Sequence, residues 1–190
     1  MRLGIFGGSF DPPHLGHLLP VIDAAEALGL DAVKFVPAAV QPFKVGRATA
    51  PPTDRLAMTE RLVASIPGFT ADATEIERPG LSFTVDTLAA LSAARPDAEL
   101  VLLLGADAFA QFDTWREPER IRRLARVAVM TRSGESAPAV DERGGVQVLQ
   151  TRRVDISSTE LRARVAAGRT IRGFVPDAVA DYIAEHRLYR

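Results

Sequence analysis

Cysteine is absent from the 190 residues, lysine occurs only at 34 and 44, and histidine only at 14, 17 and 186. Without thiols there is no disulfide framework and no cysteine nucleophile, and the composition suits a reducing compartment. A tetrahedral zinc site needs more nitrogen or sulfur ligands than two histidines three residues apart can supply, so a metal centre is not expected. Long apolar runs are also missing. Nothing approaches the roughly 18 residues of a membrane span. The start, Met1-Arg2, leads into an apolar stretch too short for the core of a secretion signal. A cytoplasmic protein without membrane contact is expected. No basic excess exists either: the formal net charge is −1, which removes the electrostatic footing for a nucleic-acid partner. Two phosphate-binding fingerprints are absent as well. Gly4, Gly7 and Gly8 do not make Gly-x-Gly-x-x-Gly, and no Gly-Lys-Ser/Thr occurs, which disfavours a dinucleotide dehydrogenase and a P-loop kinase.

What is present is an ordinary globular composition, 47% hydrophobic and 25% charged, organised around Gly7-Gly8-Ser9-Phe10-Asp11-Pro12-Pro13-His14-Leu15-Gly16-His17. An apolar run, Leu3 to Phe6, precedes it and a helical pattern follows, so the stretch reads as strand, glycine turn, helix. Glycine lets the backbone turn sharply and approach a bound group closely. The helix start offers N–H groups and a positive dipole end, which suit a phosphate. His14 and His17 at helical spacing share one face and can reach toward the same anion as cationic or hydrogen-bonding arms.

Along the chain, Leu15, Leu18, Leu19, Ile22, Ala25 and Leu28 recur at helical spacing until Gly29, with Pro20 near the first turn. Ala32 to Pro37 reads as a buried strand, so the opening unit is β-α-β with a parallel pairing. Residues 38 to 52, with several prolines and Lys44, form a loop at that strand's carboxyl end. Thr53 is a candidate cap for a helix to about Ile66, a strand is expected around Phe69 to Ala73, and Thr84 looks like the cap of a helix carrying Val85, Leu88 and Leu91. Leu100 to Leu104 is an unbroken apolar run, as in a strand buried on both faces, and stops at a loop, Gly105-Ala106-Asp107. Trp115 lies in a short polar stretch before a small helix begun by Pro118. Val127 to Met130 and Val146 to Leu149 read as strands on either side of a mobile surface loop, 133 to 145. Ser157 and Glu160 have capping-box spacing, and Val179, Tyr182, Ile183 and His186 follow a helical period that makes His186 a packed or capping residue.

The pattern predicts an α/β fold: a doubly wound, mostly parallel sheet with helices on both faces, in one domain spanning 1 to 190 whose C-terminal helical part, about 156 to 190, packs on the rest. Such a sheet gathers its strand ends. Polar groups stand at four of them: Ser9 to His17, Lys44, Gly105 to Asp107, and Ser157 to Thr159. Taken one at a time, Lys44 is also readable as a solvated loop residue, Asp107 as a helix cap and the serines as a capping box.

Gly7-Gly8-Ser9-Phe10-Asp11-Pro12 with His14-x-Gly16-His17 closely resembles the signature of the nucleotidylyltransferase superfamily. Lys44 after a proline, Asp54-Arg55-x-x-Met58, Ser82-Phe83-Thr84, Gly105-Ala106-Asp107, Trp115, Ile156-Ser157-Ser158-Thr159 and the terminal Val175-Pro176, Tyr182-Ile183 and Leu188-Tyr189 extend the likeness over nearly the whole chain to the bacterial nicotinate-mononucleotide adenylyltransferases. Two positions depart from the family pattern. Pro42-Phe43-Lys44 stands where Pro-His-Lys is usual, and Ser82-Phe83-Thr84 where Ser-Tyr-Thr is usual, so neither Phe43 nor Phe83 inherits a catalytic role.

The resemblance implies a Rossmann-like nucleotidyltransferase fold and transfer of the adenylyl group of ATP to nicotinate mononucleotide. His14, His17 and Lys44 would be catalytic. Gly7, Gly8, Ser9, Phe10, Ile156, Ser157 and Ser158 would hold the ATP phosphates, and Gly105 and Asp107 would border the adenosine. Ser9, Lys44, Phe83, Thr84 and Trp115 would receive the mononucleotide. Magnesium would arrive on the ATP oxygens, without protein ligands of its own. Two other readings stay open: another adenylyl- or cytidylyltransferase, such as a phosphopantetheine enzyme, and a non-catalytic nucleotide-binding regulator on the same fold. Oligomeric state has no signature in the sequence.

Overall fold

The apolar run near the start forms a strand longer than its hydrophobic core, because both glycines continue it: β1 covers Arg2–Gly8. The computed structural model describes residues 1–40, 50–132 and 145–190. Lys44, and all but Gly145 of the expected surface loop, therefore lie outside the described residues. After β1 come α1 (Leu15–Leu28), β2 (Ala32–Pro37), α2 (Pro52–Val63), β3 (Phe69–Ala71), α3 (Thr74–Glu77), α4 (Thr84–Ala94) and β4 (Glu99–Gly105). Then follow α5 (Ala106–Phe109), a 3-10 turn (Phe112–Thr114), α6 (Pro118–Leu124), β5 (Arg126–Arg132), β6 (Val146–Thr151), α7 (Ser158–Ala166) and α8 (Asp177–Glu185).

Among the described residues the strands make one sheet in the order β3-β2-β1-β4-β5-β6, and every pairing is parallel. Alternation along β4 sorts the core into two layers. Leu100, Leu102 and Leu104 pack with Val85, Leu88 and Ile121 on one face, while Val101 and Leu103 pack with Leu18, Met58, Leu161 and Val179 on the other. A strand covered on both faces reads as a continuous apolar run for this reason. Among the described residues no helix is long and apolar enough to cross a membrane.

The register shows where the sheet opens. β1 stays paired to β2 as far as Gly8↔Pro37, and β4 to β5 as far as Gly105↔Met130, yet β1 and β4 are last paired at Ile5↔Leu102. The two central strands part beyond that point. This is where the strand order reverses, and the carboxyl ends at such a switch point border a crevice.

Several local expectations shift. α2 begins at Pro52 with Pro51 as its cap, so Thr53 sits inside the first turn and not at the cap. Proline suits that start because its fixed φ and missing N–H cost nothing there. The same helix ends at Val63, short of Ile66, and β3 stops at Ala71. Thr84 is the first residue of α4; the extended backbone of Phe83 takes the cap position. β4 continues through Gly105, and Ala106 and Asp107 open a short helix in place of a loop. Pro20 falls in the second turn of α1, which ends at Gly29 in the left-handed conformation, φ +59°. His186 caps α8 and stacks on Tyr182 at 3.8 Å between ring centroids.

Residues beyond β6 dock onto the start of the chain. Arg152 grips Asp23 of α1 with Nη2 2.6 Å from Oδ1, and that bond holds the Asp23 carboxyl below its ordinary pKa. Tyr182 of α8 donates to Asp54 of α2 at 2.8 Å. The N–H of Leu15 at the start of α1 donates to the Phe174 carbonyl at 3.0 Å.

Candidate active site

The turn after β1, which begins at Ser9, is held in place by a charged residue with almost no exposure. Arg55 of α2 is 1% exposed. Its Nη1 donates to the Ser9 carbonyl at 2.8 Å, Nη2 to Ala39 at 3.0 Å and Nε to Ala50 at 3.2 Å. Burial works against its charge, and the nearby Asp11 carboxylate works for it. Asp11 accepts at Oδ1 from the Tyr189 hydroxyl at 2.7 Å and from the Ala50 N–H at 3.3 Å. Burial and that carboxylate push the Tyr189 pKa upward and keep its proton on. Arg162 and Ser158, both on α7, donate to the carbonyls of Asp11 and Pro12 at 2.8 Å each. A loop that must keep one shape is thus tied to three other parts of the chain.

Inside this brace Phe10 adopts φ +49°, an unusual conformation for a bulky residue, with its ring buried. The ring lies against Gly8, where a Cβ would come within 2.9 Å of it, and edge-on to His17 at 5.2 Å. The side chain of Phe10 therefore supports His17 from beneath.

His14 is the cap of α1, one residue before its first turn, with an extended backbone. Its ring lies 3.8 Å from that of His17, centroid to centroid. The backbone N–H of His14 donates to Nδ1 of His17 at 3.2 Å. A ring nitrogen that accepts carries no proton, so the His17 proton sits on Nε2 and that atom is a donor. His14 is 4% exposed, and among the described residues its Nδ1 is buried without a hydrogen-bond partner. Burial lowers its pKa from 6.5 to about 4, so at neutral pH the ring is uncharged, and of the cationic and hydrogen-bonding roles open to it from sequence only the second remains. Gly16 makes this packing possible, since a Cβ there would stand 2.9 Å from His14 Nδ1 and 3.2 Å from the Ile156 carbonyl. Of the first-turn N–H groups expected to face an anion, Leu15 already donates to Phe174 and His17 to the His14 carbonyl.

Ile156 brings the start of α7 against this turn. Ser157 caps α7 by accepting from the Glu160 N–H at 3.1 Å, and Ser158 spends its hydroxyl on Pro12. The α7 start, the His14–His17 turn and Ser9 are thus neighbours. Gly105 and Asp107 stand across the switch point, at the end of β4 and in the exposed first turn of α5.

On the opposite side of the parted strands is a cavity of about 430 Å³. Its lining joins Gly7 and Gly8 to Phe83, Thr84 and Trp115. Trp115 follows the 3-10 turn with its ring 5.5 Å from that of Phe112. The volume and the mixture of apolar wall with a few polar groups suit a small aromatic ligand. Beneath Phe83 and Thr84 lies a buried polar knot. Thr87 donates to Glu75 Oε1 at 2.7 Å and accepts from Arg78 at 3.0 Å, Glu75 also bonds Ser82, and Ser82 accepts from the Ala39 N–H at 2.9 Å. Desolvation pushes the Glu75 carboxyl above its ordinary pKa.

Sequence reasoning missed Glu75, Thr87 and Arg116 on this cavity and the bracing roles of Arg55, Asp11, Arg162 and Tyr189. Arg55 and Tyr189 stood within motifs noted for resemblance, but nothing local marks either as buried or bonded to the glycine turn.

Comparison with known proteins points one way. Residues 5–164 match the cytidylyltransferase-like family model. A Gemmatimonas aurantiaca protein named as a probable nicotinate-nucleotide adenylyltransferase is 50% identical, with 100% of this chain and 93% of that protein covered. A Thermus thermophilus protein of the same name is 47% identical over the full length of both chains. The fold is shared by the solved Plasmodium falciparum nicotinic acid mononucleotide adenylyltransferase in complex with NaAD, TM-score 0.76 at 18% identity, covering 99% of this chain and 97% of that one.

Proposed function

The chain belongs to the cytidylyltransferase-like family and, within it, to the nicotinate-nucleotide adenylyltransferases, and on that premise we propose that it joins ATP and nicotinate mononucleotide into nicotinate adenine dinucleotide (deamido-NAD), releasing pyrophosphate, as a step of NAD biosynthesis. The observation that carries the proposal is the crevice between β1 and β4, which has the His14–His17 turn beside it and an aromatic-lined cavity within it.

The 5′-phosphate of the mononucleotide is already a nucleophile, so no activated side chain and no general base is needed. One of its oxygens attacks the α-phosphorus of ATP in line, the bond from that phosphorus to the bridging oxygen breaks, and pyrophosphate leaves with the electron pair. The protein's work is alignment and stabilisation of charge. His17 Nε2–H donates to the α-phosphate oxygens as charge grows on them. His14, neutral and wedged beside it, fixes the ring of His17. Gly7, Gly8, Ser9 and the backbone of Phe10 line the phosphate path, and Lys44 supplies a cation for the same phosphates. The amides of Ser157 and Ser158 and the Ser157 hydroxyl take the β,γ end, with Ile156 beside them. Gly105 and Asp107 flank the adenosine.

The pyridine ring enters the cavity, stacked on Trp115, with Phe83 and Thr84 at its substituent. Backbone N–H groups there are satisfied by a carboxylate and mispaired by an amide, so the acid is preferred at least about tenfold. We take magnesium to enter on the triphosphate oxygens; among the described residues no three or more His, Asp or Glu are gathered as ligands. In this reading the chain acts as one cytoplasmic domain with residues 156–190 docked on it.

The test is incubation with Mg-ATP and, separately, nicotinate mononucleotide, nicotinamide mononucleotide and phosphopantetheine, with pyrophosphate and the product mass measured. Pyrophosphate with the mass of deamido-NAD is expected. Release with phosphopantetheine instead would assign the chain to a different transferase, and binding of ATP without any release would make it a regulator.

A further inference from the structure

Arg116 follows Trp115 and lines the same cavity. Its guanidinium lies over the Phe83 ring, 4.8 Å from the centroid, so it belongs to the wall that carries Phe83 and Thr84. It is only loosely paired: Nη1 is 3.5 Å from Asp86 Oδ2 and Nε 3.7 Å from Glu117 Oε1, with half of the side chain exposed. The helix α4 starts beside it, and its dipole adds positive potential at the same place. The other ionisable side chain on the cavity lining, Glu75, is buried beneath this wall and already bonded to Thr87 and Ser82.

We infer that Arg116 is a specificity-determining residue: its guanidinium pairs with the ring carboxylate of the mononucleotide and thereby selects an acidic pyridine over a neutral one. The inference rests on the functional reading above, in which the pyridine ring occupies this cavity. A planar guanidinium stacked on an aromatic face keeps its donor edge free to meet a carboxylate in two parallel hydrogen bonds. The contacts to Asp86 and Glu117 are long enough to yield to a ligand, and they orient the group while the cavity is empty. An amide gains nothing comparable, since its oxygen is neutral and its NH₂ opposes a donor. Because the guanidinium keeps Asp86 and Glu117 as partners when an amide is bound, Arg116 itself adds no penalty for the amide beyond the one at the backbone N–H groups. The share of selection that Arg116 supplies comes from what the acid gains.

The experiment compares the wild-type chain with Arg116→Gln and Arg116→Lys at saturating Mg-ATP, measuring kcat and KM for nicotinate mononucleotide and nicotinamide mononucleotide side by side. Arg116→Gln is expected to raise KM for the acid about tenfold with kcat nearly unchanged and kcat/KM for the amide unchanged, so the preference shrinks by that factor. Arg116→Lys keeps the charge but not the fork and retains part of the preference. Added salt should raise the acid's KM more in the wild type than in Arg116→Gln. An equal loss on both substrates would overturn the inference, because the guanidinium would then hold the shared phosphate or ring. Unchanged kinetics on both would overturn it too. A wild-type chain that turned over neither mononucleotide would instead overturn the functional reading beneath it, and the two failures are told apart by that control.

Discussion

On the α1 side of the crevice, the turn that carries Ser9 to His17 is held from far along the chain: by Arg55 of α2, by Ser158 and Arg162 of α7, and by Tyr189 at the chain's end. On the α4 side, Phe83 and Thr84 rest mainly on near neighbours, with Thr87 and Glu75 beneath them, Ser82 reaching back to Ala39 and Arg116 lying loosely over the Phe83 ring. The difference fits the two jobs. In-line transfer tolerates little misplacement of the group that meets the α-phosphate, so its support is over-determined. Recognition of a ring substituent needs one face and a few donors, which a helix start and two adjacent aromatic or cationic residues supply. Burial marks both walls in opposite senses, driving His14 and Glu75 each toward its uncharged form.

Removing the brace should produce the largest effect. Arg55→Ala strips three buried or half-buried carbonyls of their donor and removes a cation from beside Asp11, a loss of about 3–5 kcal/mol read by denaturant unfolding. The matched change on the other wall, Thr87→Val, should cost only about 1 kcal/mol. Similar losses from the two variants would mean that the walls are equally braced.

His17→Ala tests the reacting end. Turnover should fall roughly 10²- to 10³-fold with little change in KM for either substrate, because the lost donor acts mainly as charge develops. A variant that kept its kcat and lost only ATP affinity would remove the transition-state role.

The α1 wall also carries a pH signature. His14 has a folded pKa near 4 against 6.5 when exposed. Between those values the unfolded chain holds a proton that the folded chain does not, so stability is complete above pH 6.5 and is lost as pH falls toward 4. The loss attributable to this one ring is about 3 kcal/mol, measurable as a shallower acid dependence of unfolding free energy in His14→Asn than in wild type. Parallel curves for the two proteins would show that the ring is not held neutral.

The smallest change belongs to the α4 wall. Trp115→Ala should raise KM about tenfold for nicotinate and nicotinamide mononucleotides alike, since stacking does not depend on the ring substituent. A loss confined to one of them would make Trp115 a reader of that substituent.

How much of this was visible in the residues follows from how local each signal is. Leu100 to Leu104 and Gly29 are local signals, and the structure puts β4 and the end of α1 at those places, whereas Gly7 and Gly8 extend β1 and the turn begins at Ser9. Thr53 and Thr84 misled because a threonine before an apolar stretch reads as a cap, whereas Pro51 and the extended backbone of Phe83 occupy those positions. Arg55, Glu75 and Tyr189 carry no local sign of their burial or their partners. A buried arginine is satisfied by carbonyls from loops distant in sequence, and the Tyr189–Asp11 bond joins residues 178 apart, so neither has any periodicity to read. Sequence also placed both serines of α7 in one role, while the fold spends Ser158 on Pro12.

The division of labour between the walls is tested most directly by a double-mutant cycle on nicotinate mononucleotide, with kcat and KM determined for wild type, His17→Ala, Trp115→Ala and the double variant. Independent walls predict that the two losses in kcat/KM add on a free-energy scale to within about 0.5 kcal/mol, with His17 accounting for the fall in kcat and Trp115 for the rise in KM. A coupling above about 1 kcal/mol, or a fall in kcat from Trp115→Ala as large as that from His17→Ala, would contradict it.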